Sequence, residues 1–112
     1  MSHEKFQECI DACIACAIAC EHCASECLQE ESVKMMVKCI QLDRQCASVC
    51  RAAAELMSMG GTHATLLCNV CAEICEACAR ECATHDMDHC QECAEECEAC
   101  AESCRKMVEE HV

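Results

Sequence analysis

Proline, tryptophan and tyrosine are absent from this 112-residue chain, phenylalanine occurs once, and glycine only as the pair Gly60–Gly61. So little turn-forming material excludes a loop-rich sandwich, a dinucleotide-binding fold and a collagen-like chain. Basic residues are scarce too: 8 Lys and Arg face 21 Asp and Glu, for a formal net charge of -13. That balance argues against nucleic acid or an anionic membrane as a partner. The charge is uneven, -4 over residues 1–56 and -9 over residues 57–112. No membrane span is expected: the longest stretch free of Asp, Glu, Lys and Arg, residues 56–72, is broken by Gly60, Gly61, Thr62 and His63. Leu, Ile, Val and Phe together make only 17 residues, which at this net charge usually predicts disorder.

Cysteine fills the gap, with 19 residues, about one in six. The apolar fraction of 54% is 60 residues; without cysteine it is 41, of which 17 are Ala. Either the chain is unfolded without a ligand, or the thiols themselves form the core. A short chain this rich in Cys is ordinarily a secreted disulfide scaffold. Against that, the start MSHEKFQECIDAC has no basic opening and no apolar run before its first acid, so no signal peptide is expected. The odd cysteine count and near-uniform spacings of three and four point the same way, to reduced thiols in a cytoplasmic protein.

Those spacings are helical. Cys9, Cys13, Cys16, Cys20, Cys23 and Cys27 step by 4, 3, 4, 3 and 4, a heptad stripe on one helix face. The stripe returns at Cys68, Cys71, Cys75, Cys78 and Cys82, and again at Cys90, Cys93, Cys97, Cys100 and Cys104. A thinner one, Met36, Cys39, Asp43, Cys46, Cys50, Ala53, Met57, keeps the period with three cysteines. Good helix formers stand between. Ser32, Thr62 and Asp86 or Asp88 are candidate N-caps, Asp88 with Gln91 has capping-box spacing, and Gly60–Gly61 ends the second helix. The expected architecture is all-α: one domain over 1–112, an antiparallel up-down-up-down four-helix bundle with a Cys-lined core. Its helices are expected at about 3–29, 32–59, 62–84 and 87–109. CNVCAEICEACAREC and CQECAEECEACAESC read as an internal repeat.

Cysteine alone makes a poor core, because Leu or Ile in those places would bury far more area at roughly 25 cal/mol per Å2. Disulfides between thiols on one helix face suit the required dihedral badly, and cross-helix pairings are unspecified. Structural zinc prefers separate sets of four ligands, and ferredoxin-type clusters use non-helical loops with proline. Calcium and magnesium require oxygen. Cu(I) fits best: it is soft, selects thiolates and accepts two or three sulfurs. A linear S–Cu–S unit spans roughly 4.4 Å, and thiolates that bridge two ions allow about 15–20 per chain. One Cu(I) per thiolate also cancels its charge, so the core is neutral loaded or empty and the metal-free protein can stay folded.

Antiparallel packing sorts the helix termini into two ends. One gathers Phe6, Met57, Met59, Leu66, Leu67 and Met107 as an apolar plug, with Met read as filler ahead of ligand. The other gathers Cys27, Met35, Met36, Cys39, Cys82, His85, Met87, His89 and Cys90 as an entrance for metal; His85 and His89 are either ligands or solvated linker residues. Asp43, at a core heptad position, needs a thiol, a cation or a metal as partner. Ile10, Ile14, Ile18 and Leu28, with Val33, Val37 and Ile40, face away from the cysteines and suggest a homo-oligomer.

The Cys heptads, the segment CIQLDRQCASVC (39–50) and the ending HDMDHCQECAEEC (85–97) resemble the bacterial cytosolic copper storage proteins, over essentially the whole chain. The resemblance implies a homotetramer of four-helix bundles, each holding many Cu(I) ions inside, for copper storage and detoxification, with metal supplied by a cytosolic copper-carrier protein. Carried over residue by residue, it implies ligation by the six cysteines Cys9 to Cys27, by Cys39, Cys46 and Cys50, and by the five on each of the last two helices. It adds mouth residues matching the cluster around His85 and His89. A general thiol or zinc reservoir is the alternative. Catalysis is not expected, since a thiol enzyme needs one distinguished Cys, and here every setting repeats.

Overall fold

The computed structural model describes residues 4–111; the helix start expected near Ser2 or His3 lies outside them. Four α-helices occupy these residues: α1 (Gln7–Cys27), α2 (Val37–Ser58), α3 (Ala64–Ala83) and α4 (Asp88–His111). Short 3-10 turns, Glu4–Phe6 and Val33–Met36, lead into α1 and α2. Each helix packs on its sequence neighbours, and α4 closes against α1. The result is an antiparallel bundle of 48 × 19 × 18 Å. None of these helices is long and apolar enough to cross a membrane.

The linkers depart from the sequence expectation in three ways. Ser32 heads a 3-10 turn, with Met35 N–H donating to Ser32 O at 2.8 Å, so the α-helix begins five residues later. That tight turn leaves Met36 fully buried. Thr62 caps nothing: α3 starts at Ala64, and the Thr62 hydroxyl lies 3.4 Å from His63 Nδ1. Gln91 makes no capping box with Asp88, because its amide donates to His85 O at 2.6 Å and Ala83 O at 3.3 Å, tying α4 to the end of α3. The α2 terminus does match its glycine signal. Gly60 (φ 68°) donates to Met57 O and Gly61 to Leu56 O, the paired bonds of a Schellman motif.

Beside the cysteines runs a second heptad. Ala17 and Ala24, Ala47 and Ala54, Ala72 and Ala79, Ala94 and Ala101 are all buried, seven residues apart on each helix. These methyls line the seams between helices. Because alanine adds so little bulk there, the helix axes can come close enough for thiols on different helices to touch. Outside, Glu21 of α1 pairs with Arg44 (3.2 Å) and Arg51 (3.1 Å) of α2, and Arg105 of α4 grips Glu76 of α3 with two bonds of 2.8 and 2.9 Å.

The apolar end is smaller than expected. Phe6, Met57 and Met107 are buried there, but Met59 (69% exposed) and Leu66 (64%) face solvent. Met59 keeps helical dihedrals (φ -80°, ψ -10°) and stands two residues past Met57, off the inward stripe, so it points outward before the turn at Gly60. Ile10 and Ile40 are half-buried against the core, while Ile14, Ile18, Leu28 and Val37 are exposed.

Candidate metal centre

All 19 cysteines are free and buried. From the apolar end the sulfurs form a column. Cys9 meets Cys104 at 3.7 Å, Cys104 meets Cys13 at 3.8 Å, and Cys13 meets Cys100 at 3.7 Å. Cys50 then joins Cys100 (3.9 Å), Cys71 (3.6 Å) and Cys75 (3.8 Å). Cys46 lies 3.4 Å from Cys75 and 3.8 Å from Cys16, and Cys97 continues to Cys16 (3.7 Å) and Cys20 (3.6 Å). Groups such as Cys16, Cys46, Cys50 and Cys75, or Cys20, Cys78, Cys93 and Cys97, have all four sulfurs within 4.8 Å of one another. Cys46 and Cys97 each belong to two such groups, so the quartets along the middle of the column overlap. That sharing suits a metal whose ions share thiolates better than isolated tetrahedral sites.

Asp43 sits in this column, fully buried. Its Oδ1 accepts from the thiols of Cys78 (3.2 Å), Cys93 (3.3 Å) and Cys82 (3.5 Å), and its Oδ2 from Cys39 at 3.8 Å. A thiol cage, rather than a cation, satisfies this carboxyl. Burial is the main cause that raises its pKa to about 8.

Beyond Asp43 lies the mouth. Cys39 contacts Cys82 at 3.5 Å, and Cys23, Cys27 and Cys90 lie 3.8–3.9 Å apart. His89 closes this group: its Nδ1 is 3.5 Å from Cys90, 3.6 Å from Cys23 and 3.9 Å from Cys27. Its Nε2 lies 3.0 Å from Glu30 Oε2, in the linker after α1. His85 is placed differently, with Nε2 at 2.9 Å from Glu81, which also meets Lys38 at 3.8 Å. Met35 is exposed. Burial is the main cause that raises the thiols of Cys27 and Cys90, the latter to about 11, so metal entering here must displace protons. Glu30 carries no signal of this role in the sequence. It is one acid among many, 59 positions from its partner.

The profile of a family described as copper storage protein matches residues 2–109. The uncharacterized cysteine-rich protein YhjQ of Bacillus subtilis is 48% identical over 87 residues, 77% of this chain and 81% of that one. Among solved structures, the Cu(I)-bound copper storage protein BsCsp3 superposes with a TM-score of 0.91 at 46% identity, over 94% of this chain and 99% of its own. A cytosolic copper storage protein from Streptomyces lividans, solved with five coppers, gives a TM-score of 0.92 at 37% identity over 96% and 95%.

Proposed function

The chain belongs to the copper storage protein family, and on that premise we propose that its sulfur column is the store: a high-capacity site for Cu(I) in the cytosol. The observation that carries this reading is the stacking of buried thiols along the bundle, where many pairs touch at 3.4–4.0 Å. Groups with sulfurs within 4.8 Å, such as Cys20, Cys78, Cys93 and Cys97 or Cys23, Cys27, Cys39 and Cys90, carry the column past Asp43 to the mouth. These spacings are close to the roughly 4.4 Å of a linear S–Cu–S unit. Small rotamer adjustments open such pairs, whereas a zinc reservoir would need tetrahedral quartets, and the sharing of Cys46 and Cys97 between groups disfavours those. The ligands in this reading are the cysteines of all four stripes, with His89 at the mouth. His85 serves that mouth through its pairing with Glu81.

Loading proceeds by exchange. A Cu(I) ion handed over by a carrier protein meets His89 Nδ1 and the thiols of Cys23, Cys27 and Cys90. It displaces thiol protons to solvent and moves inward as each sulfur is replaced by the next. Every ion that enters neutralises one thiolate, so an apolar core accepts about 15–20 of them without building up charge. The repeated cysteine settings contain no distinguished nucleophile, and we read the protein as a binder rather than an enzyme. Ile14, Ile18, Leu28 and Val37 form the exposed apolar face through which the bundles pair into a homotetramer.

Anaerobic titration of the reduced protein with Cu(I), against a strong competing chelator, tests the reading. Many tight equivalents per chain are expected, with zinc displaced by copper. Saturation at one or two equivalents, or zinc uptake that resists competition equally well, contradicts it.

A further inference from the structure

The α2 stripe carries fewer cysteines than the others, and seven residues beyond Cys50, in register, it ends in Met57. This side chain is 0% exposed. Its Sδ accepts from the Cys68 thiol at 3.7 Å, a spacing inside the 3.4–4.0 Å range of the thiol–thiol contacts. Among the described residues it is the one methionine whose sulfur accepts from a thiol. Cys68 in turn neighbours Cys9 and Cys104, which are 3.7 Å apart. The column therefore finishes at a thioether.

Charge gives that thioether a purpose. A Cu(I) ion held between two thiolates that bridge no further ion is an anionic unit. At this dry end, closed by Phe6 and Met107, such an unneutralised charge is strongly disfavoured. Held between one thiolate and a neutral thioether, the last ion makes a neutral unit. We propose that Met57 Sδ is the terminal ligand of the copper row, sharing the last Cu(I) with Cys68. Binding there releases one proton, from the Cys68 thiol, and leaves a neutral S–Cu–S unit. The proposal rests on the Cu(I) storage reading and assigns a methionine to the site.

The test is X-ray absorption at the selenium edge on the selenomethionine-labelled full chain, loaded anaerobically with Cu(I) to saturation, beside the Met57→Leu variant. Leu conserves volume, so the bundle is expected to form, and the unmutated chain gives a result by itself. A copper neighbour at bonding distance from selenium, lost in Met57→Leu and kept in Met59→Leu, supports the assignment. Absence of a selenium–copper path in the saturated chain overturns it, as does a path that survives in Met57→Leu. Copper content measured on the same samples separates the two readings. Many ions without a selenium–copper path overturn only the Met57 ligand, while one or two ions per chain overturn both.

Discussion

Glu30 Oε2 lies 3.0 Å from His89 Nε2, and this contact decides which nitrogen of the ring meets the thiols. A carboxylate only accepts, so Nε2 holds the proton and the Nδ1 lone pair is left facing Cys23, Cys27 and Cys90. Replacing Glu30 by Ala frees the ring and the tautomer. Affinity for the first Cu(I) equivalent is expected to fall about ten- to a hundred-fold, with total capacity unchanged. Competition titration below one equivalent measures it, and an unchanged first equivalent contradicts the assigned role.

Asp43 predicts a pH dependence of the metal-free protein. Its carboxyl rises from 3.8 to about 8 on folding, mainly through burial. Between those values the folded state keeps a proton that the unfolded state releases, so stability falls as pH rises from about 4 to about 8, by at most ~1.4 kcal/mol per pH unit. Thermal unfolding of reduced protein at pH 5 and pH 8 should show the lower Tm at pH 8. Asp43→Asn should flatten that difference, since every other titratable group is common to both proteins. An equal slope in the variant contradicts the buried-carboxyl account.

The alanine heptads predict a steric limit. Ala72 is fully buried beside Cys71, and Ala72→Leu should force the helices apart at a cost of ~1–3 kcal/mol. Ala15 is exposed, and Leu there should change stability by less than about 0.5 kcal/mol. Denaturant unfolding of the two variants compares them. Equal stabilities would mean that the seams are loosely packed.

Ile18, 66% exposed on α1, stands at the centre of the proposed subunit face. Ile18→Glu places a charge on that face and should shift the proposed tetramer toward smaller species, with helix content retained. Sedimentation analysis reads the mass; an intact tetramer would move the interface elsewhere.

The bundle was legible in the sequence because the heptad that forms the core is written in one unusual residue type. The cysteine stripes marked the inward face of every helix, and the twinned glycines marked the end of α2. The linkers were less legible. Ser32 looked like a helix cap, but the i to i+3 bond from Met35 takes that segment into a 3-10 turn. Gln91 had capping-box spacing, but carbonyls at the end of α3 lay within reach of its amide. His85 and His89 were indistinguishable as letters four apart. Which ring faces the thiols depends on Glu30 and Glu81, and the Glu30 contact spans two helices and two linkers. The buried alanines carried a seven-residue period that could have been found, but alanine is common in any helix and the cysteines masked it.

The most direct test of the account is anomalous diffraction at the copper edge from crystals of the fully loaded protein. A column of copper peaks is expected along the bundle axis, from His89 at the mouth to Met57 at the closed end, each bonded to two or three sulfurs and numbering about 15–20 per chain. A few peaks confined to surface carboxylates and histidines, with the cysteine core free of copper, would contradict it.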